Sequence, residues 1–192
     1  MRIYIVGGPG SGKTDLAREL SRRLEDCPVV HLDDYWDPVF QRDSAGRPTE
    51  VAVTTRRRLL DENLKRSSWI IEGSEPPFLL QLAEASDLIL WCDVPFRVAA
   101  WRIVRRHVLA DISGTNRYPG YLRLYGFVRS IRRWYDAPAA VDGDPSAPWT
   151  RSLSAQAAAR HGGKTLRLRS GSAADNADLA LTRLRPQAHR PG

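Results

Sequence analysis

A glycine-rich stretch near the start of the chain combines residue types that suit phosphate chemistry. The residues GGPGSGKT, from Gly7 to Thr14, fit the spacing G-x-x-x-x-G-K-[ST] of a phosphate-binding loop. Glycine lets the backbone curl until several N–H groups converge on phosphate oxygens, because it lacks a Cβ and tolerates positive φ. Lys13 would place a positive charge at the β- and γ-phosphates, and the Thr14 hydroxyl would bind Mg²⁺. The pattern predicts binding of ATP or GTP with Mg²⁺. The predicted nucleotide contacts are Gly7, Gly8, Pro9, Gly10, Ser11, Gly12, Lys13 and Thr14.

Carboxylates follow two further apolar runs, VVHL at 29–32 and WIIE at 69–72. Ligands bind at the carboxyl edge of open α/β sheets, so Asp33 or Asp34 is a candidate base for a substrate hydroxyl that attacks the γ-phosphate. The alternative is that this pair caps a helix or turn. Trp36 would line the acceptor pocket or belong to the core. Glu72 would hold a water of the Mg²⁺, and contact the substrate, if its strand neighbours the first strand; otherwise it makes a local hydrogen bond.

A fourth apolar run, 87–92, ends before Asp93 and a Val-Pro turn. Asp93 is a candidate Mg²⁺ ligand, but the turn favours a role in capping the next helix. In that helix, Arg102 and Arg106 are four residues apart and share a face. Two guanidiniums on one face can stabilise a transferring phosphoryl group. A solvated charged face is the alternative for this pair.

The spacing of apolar residues predicts the elements that must position these side chains. Five short apolar runs predict strands at 3–7, 29–32, 69–72, 87–92 and 164–168. Helical spacing predicts helices near 12–25, 50–66, 77–85, 95–110, 121–136, 150–160 and 174–184. Strands that alternate with helices predict an α/β fold with a parallel sheet covered on both faces. We expect one domain over 1–185 with a lid near 111–136, long loops at 37–49 and 137–149, and a disordered tail at 186–192.

Composition limits the classes of function. The chain has 192 residues, 42% of them hydrophobic, and no apolar run reaches the 18 residues of a membrane span. Cys27 and Cys92 are isolated, which predicts free thiols in a reducing cytoplasm. The net charge of +7 comes mostly from arginine. It indicates either a nucleic-acid surface or a GC-rich genome combined with a phosphate site, and the lack of a zinc-finger or RNA-binding signature favours the second interpretation.

Taken together, these segments resemble the adenylate-kinase-like P-loop kinases. The resemblance is carried by GGPGSGKT, by LDDYW at 32–36, by WIIEG at 69–73 and by LILWCDVP at 88–95 followed by RIVRR. With RSGSAADNADL at 169–179, the chain is also similar to the group known as DNA topology modulation proteins. The resemblance implies a P-loop three-layer sandwich whose five-stranded parallel sheet has the order 2-3-1-4-5, with a helical lid. It implies that ATP contacts Arg102, Arg169 and Gly171, and that Arg106 faces the phosphates.

One departure from that family bears on the acceptor. Adenylate kinases follow the third strand with D-G-F-P-R, whose arginine holds the phosphate of the acceptor, whereas this chain has EGSEPPF at 72–78. The sequence therefore favours an ATP-dependent kinase that acts on a small-molecule hydroxyl, with Asp33 as the base. Two alternatives stay open, a nucleotide-binding regulatory or nucleic-acid-associated ATPase and a nucleoside monophosphate kinase.

Overall fold

One parallel sheet organises the computed structural model, which describes residues 1–32, 50–74, 76–116, 118–138 and 150–184. Within these residues five strands pair in the order β2-β3-β1-β4-β5, which confirms the predicted sheet. The strands are β1 Arg2–Gly7, β2 Val29–His31, β3 Trp69–Glu72, β4 Leu88–Cys92 and β5 Thr165–Leu168. Every residue of β3 and β4 is buried, as expected for parallel strands that are covered on both faces.

The pairing register brings the functional ends of the strands together. β1 lies between β3 and β4, with Ile5 paired to Glu72 and Gly7 paired to Cys92. Because all the strands run parallel, their carboxyl ends meet at one edge of the sheet. The glycine-rich segment therefore leaves the sheet directly beside the end of β3.

Helices cover both faces of the sheet. Their bounds are α1 Lys13–Arg23, α2 Glu50–Leu64, α3 Pro76–Ala85, α4 Phe96–Ile112, α5 Tyr121–Asp136, α6 Arg151–Arg160 and α7 Ala173–Leu184. On one face, Leu16 and Leu20 of α1 pack with Ala177 of α7 against the sheet. On the other face, α3 and α6 pack through residues such as Leu82 and Ala157. Helix α4 packs against α5.

The predicted elements agree with the structure to within a few residues. Asp33, Asp34, Trp36 and the loop at 37–49 lie outside the described residues, as do 139–149 and the tail at 186–192. The limits of the domain and of the lid stay predictions. No helix among the described residues is long and apolar enough to cross a bilayer.

Candidate functional site

The segment between β1 and α1 is a tight loop held by backbone geometry. Gly10 and Gly12 have φ of +74° and +91°, in the left-handed region that disfavours other residues. A Cβ on Gly10 would lie 2.5 Å from the carbonyl oxygen of Ala99 in α4, so the loop needs glycine there for space as well. The buried Lys13 begins α1 and donates from Nζ to the carbonyl of Gly8 over 3.4 Å. Its ammonium therefore lies over the loop, as phosphate binding requires.

A carboxylate stands beside the end of this loop. Thr14 Oγ1 donates to Glu72 Oε1 over 3.0 Å, and His31 Nδ1 lies 2.8 Å from the same oxygen. Glu72 Oε2 is buried and has no hydrogen-bond partner among the described residues. Leaving such an oxygen without a partner is costly, and a metal-bound water would satisfy it.

These residues fit a magnesium ion. Mg²⁺ is bound by few protein oxygens and keeps waters and substrate phosphates as its other ligands. A hydroxyl from Thr14 and one free carboxylate oxygen from Glu72 match that requirement. Within the described ranges there is no cluster of three or more His, Cys, Asp or Glu side chains that could hold a metal ion by themselves.

Ser74 fixes the start of the loop, a role that sequence reasoning missed. Its Oγ donates to the carbonyl of Gly7 over 2.6 Å, and the backbone N–H of Gly7 donates to Ser74 Oγ over 3.4 Å. Tyr4 adds a second link, from its hydroxyl to the carbonyl of Gly73 over 3.1 Å. The segment after β3 is thus tied to the phosphate loop. A hydroxyl residue two positions after the end of β3, at the sheet edge beside the loop, was the signal in the sequence that could have indicated this role.

Helix α4 brings one of its two predicted arginines to the loop. Arg102 Nη1 donates to the carbonyl of Ser11 over 3.0 Å. Arg106, one turn further along, is exposed and lines a cavity against α5 instead. The prediction that Arg106 faces the phosphates stays a prediction. After β5, the Arg169 side chain is exposed and Gly171 has φ of +98°, at the same edge of the sheet as the loop.

Asp93 has a different role from either of those considered. The residue before α4 is Pro95, with no side-chain cap, so the expected capping by Asp93 is wrong. Its carboxylate is bound by Arg151 from α6, at 2.6 and 2.8 Å, and by Arg167 from β5, with Nε at 2.9 Å. Burial alone would raise the pKa of Asp93, but the hydrogen bonds from these two arginines lower it. Two guanidiniums saturate the carboxylate, so nothing in this arrangement frees it for a metal.

Both cysteines are free and buried. Burial raises the pKa of Cys27 and raises that of Cys92 to about 12. Cys92 lies under the phosphate loop, where a Cβ on Gly7 would come within 2.6 Å of its carbonyl oxygen. It is therefore a packing residue and not a nucleophile.

Comparison with known proteins gives one kinase of similar sequence and several kinases of similar fold. No family profile matches the chain. A cytidylate kinase from Methanoregula boonei is 27% identical over 132 residues, which cover 59% of this chain and 65% of that relative. The match therefore spans slightly less than two thirds of the relative's length.

Two solved structures share the fold over nearly the whole chain. A shikimate kinase from Acinetobacter baumannii, in complex with shikimate, superposes with a TM-score of 0.56 at 18% identity, covering 96% of this chain and 95% of its own. A gluconokinase from Sinorhizobium meliloti gives 0.53 at 16% identity, covering 95% and 90%. At these identities the likeness establishes the fold, and the predicted P-loop kinase fold is confirmed.

Proposed function

We propose that this protein is an ATP-dependent phosphotransferase that moves the γ-phosphate of ATP to a hydroxyl of a small molecule. The observation that carries the proposal is the pairing of Thr14 with Glu72, 3.0 Å apart at the end of the glycine loop, with the second oxygen of Glu72 unpartnered. A buried carboxylate oxygen without a partner is costly unless a ligand or its water satisfies it. The kinases with similar sequence and fold support the same reaction class.

Each residue at the loop has a task in this reaction. The backbone N–H groups of Gly8 and of 10–14 would hold the phosphate oxygens, since Pro9 has no N–H to donate. Lys13 would move from the Gly8 carbonyl to the β- and γ-phosphates. Thr14 and Glu72 would hold Mg²⁺, which supplies charge neutralisation on the phosphates when bound. Arg102 already lies on the loop, 3.0 Å from the Ser11 carbonyl, and would stabilise the charge of the transferring group.

The remaining predicted residues complete the proposal. Asp33 would accept the proton of the acceptor hydroxyl, with Asp34 as the alternative base and Trp36 as a wall of the acceptor pocket. Arg169 and Gly171 would lie against the nucleotide, at the carboxyl edge that they share with the loop. Arg106 would join Arg102 only if α4 and α5 move toward the loop.

A hydroxyl acceptor is favoured over a nucleoside monophosphate by the segment after β3. That segment contains no arginine at 73–77, and its Ser74 is engaged with Gly7. The cytidylate kinase relative nevertheless favours a nucleoside monophosphate as the second candidate acceptor. The similarity to DNA topology modulation proteins adds a third reading, an ATPase that acts with nucleic acid.

ADP release separates these activities. The protein is incubated with Mg²⁺-ATP and a panel of sugar acids, other hydroxylated small molecules, nucleosides and nucleoside monophosphates. We expect release that depends on a hydroxylated acceptor other than a nucleoside monophosphate. Dependence on CMP or another monophosphate would replace the proposal by the second candidate, and stimulation by DNA alone would favour the third.

Lys13→Ala tests whether the loop performs the reaction. Removing one charge from a developing anion should lower turnover by about 10²–10³. The matched control is Lys65→Ala, which removes an exposed lysine beyond the end of α2. If Lys13→Ala turns over at nearly the parental rate, the loop is not the site of phosphoryl transfer.

A further inference from the structure

A half-open cavity lies between helices α4 and α5, beside the phosphate loop. This space, which we call the arm cavity, measures about 680 Å³. Its wall includes Ile103, Arg106 and His107 from α4, Asn116 from the connection, and Arg123 and Phe127 from α5. None of the described residues that line it belongs to the loop at 7–14. Its volume is within the roughly 300–1,000 Å³ that small-molecule sites occupy.

The arm cavity is positively charged. Arg106 and Arg123 both line it, and the lining among the described residues contains no acid. Neither guanidinium forms an ion pair with a described residue, whereas Arg132 elsewhere on α5 lies 3.6 Å from Asp136. Two unpaired guanidiniums that face one space attract an anion, and guanidinium geometry suits carboxylate and phosphate.

Asp111 contacts two residues of the wall. Asp111 Oδ1 accepts from Asn116 Nδ2 over 2.6 Å, and its Oδ2 lies 3.4 Å from His107 Nε2. These contacts hold the Asp111 carboxylate against Asn116 and His107, and it forms no ion pair with Arg106 or Arg123. The cationic groups therefore remain available to a ligand.

Another part of the wall is apolar. Ile103, Leu124 and Phe127 line the space together with the two arginines. A fully hydrated ion such as free phosphate would leave this surface uncovered. A ligand that joins a hydrophobic body to an anionic group would satisfy both parts of the wall.

We propose that the arm cavity binds an organic anion made of an aromatic or aliphatic body and a carboxylate or phosphate group. The site is distinct from the phosphate loop but adjoins it. Ile103 forms part of the wall, and a Cβ on Gly10 would lie 3.0 Å from its Cδ1. The neighbouring Arg102 contacts Ser11. A ligand in the arm cavity would thus bind the helix that supports the loop.

The fluorescent aromatic sulfonate 8-anilinonaphthalene-1-sulfonate is a suitable probe. We expect it to bind saturably, and we expect Arg106→Ala and Arg123→Ala each to weaken its binding by about tenfold, the value of one charge-assisted contact. Arg129→Ala, which removes an exposed arginine of α5 outside the cavity, is the matched control and should bind like the parent. Parental affinity in both cavity variants would overturn the proposal.

Two comparisons test the location and the ligand class. Lys13→Ala should leave probe binding unchanged, and a loss in that variant would place the probe on the phosphate loop and overturn the assignment. N-phenyl-1-naphthylamine has the same rings without the sulfonate. If Arg106→Ala and Arg123→Ala weaken its binding as much as that of the sulfonate, the anion requirement is overturned. Melting temperatures equal to that of the parent establish that the variants are folded. If Arg106→Ala does not fold, Arg106→Gln takes its place.

Displacement distinguishes the two anionic groups. Benzoate and phenyl phosphate are each titrated against the bound probe, and the one that competes at lower concentration identifies the preferred group. Inorganic phosphate should compete far less well than phenyl phosphate. Equal competition would overturn the requirement for a hydrophobic body. None of these readouts depends on phosphoryl transfer. The proposal of an anion site in the arm cavity is therefore tested separately from the proposed function.

Discussion

At the scale of single residues, Glu72 joins three elements of the fold. It ends β3, accepts a hydrogen bond from Thr14 in the first turn of α1, and contacts His31 at the end of β2. Both contacts are to Oε1, and Oε2 is buried without a partner among the described residues. One oxygen therefore fixes the side chain while the other stays available.

Glu72→Gln tests whether that free oxygen serves a metal. The amide keeps the shape but loses the charge. The factor by which Mg²⁺ lowers the Kd for the nucleotide should therefore be about tenfold or more smaller in the variant than in the parent. A fluorescent ATP analogue titrated with and without Mg²⁺ measures this difference. Glu84→Gln, on an exposed position of α3, is the matched control. An unchanged Mg²⁺ dependence in Glu72→Gln would show that this carboxylate does not serve the ion.

The contacts that sequence reasoning found differ from those it missed in whether a motif or a strand end marks both residues. The contact between Thr14 and Glu72 followed from two strand ends and the expectation that β3 neighbours β1. The partners of Asp93 had no such signal, because neither Arg151 in α6 nor Arg167 in β5 belongs to a motif or to a strand end. Only the packed fold brings those two guanidiniums to Asp93. The carboxylate therefore binds them and does not cap α4.

At the scale of elements, the contact between α4 and the phosphate loop leaves no room for a side chain at Gly10. Gly10→Ala would combine a φ of +74° with a Cβ 2.5 Å from the Ala99 carbonyl. We expect it to destabilise the protein by about 2 kcal/mol or more, since strain in the left-handed region alone costs about 1–2 kcal/mol. Urea unfolding measures the change.

Gly126→Ala is the matched control for this prediction. Gly126 lies inside α5, where an added Cβ would meet nothing within 4 Å. Alanine in a helix interior should stabilise the protein by about 0.5–1 kcal/mol. If the two substitutions have the same sign, steric contact with α4 is not what selects glycine in the loop.

The cluster around Asp93 joins β4 to α6 and β5, and its contribution should depend on pH. The folded-state pKa of Asp93 is lowered below its ordinary value of 3.8, so its stabilisation is present above that pH and is lost as the pH falls through the folded-state pKa. Asp93→Asn should destabilise by about 1–3 kcal/mol at pH 7, with the difference from the parent shrinking below about pH 4.

Unfolding curves at several pH values check this expectation. Asp15→Asn is a suitable control because Asp15 is 75% exposed and lies 3.6 Å from Arg18 in a surface pair, where little stability is at stake. A difference between Asp93→Asn and the parent that stays constant from pH 7 to below pH 4 would contradict the ion-pair interpretation.

The arm cavity shows where prediction from sequence ends at this scale. Helices α4 and α5 were both predicted from their apolar spacing, and so was the shared face of Arg102 and Arg106. Helical spacing does not fix how far apart two helices pack, and that separation decides whether a space remains between them. Arg106 and Arg123 therefore became neighbours of one cavity without any pattern that links them.

At the scale of the whole molecule, the sheet edge gathers the loop, Glu72 and Arg102, while α5 extends away from the core. Ile131 in its second half is fully buried. In its first half, the side chains of Tyr121, Leu122 and Tyr125 are 65%, 88% and 66% exposed. A helix anchored at one end can move at the other, and the lid near 111–136 stays a prediction that this arrangement allows.

Hydrogen exchange tests whether nucleotide binding closes this arm. Because Arg102 and Ile103 connect α4 to the loop, a nucleotide that draws Arg102 toward its phosphates should also draw the far end of α4 and the start of α5. Exchange at 111–116 and 118–124 should then slow when a non-hydrolysable ATP analogue binds with Mg²⁺. Helix α3, on the covered face of the sheet, is the internal control and should not change. Slower exchange at 8–14 alone, with 111–124 unaffected, would mean that the nucleotide binds at the loop while the arm stays open. Arg106 would then have no route to the phosphates.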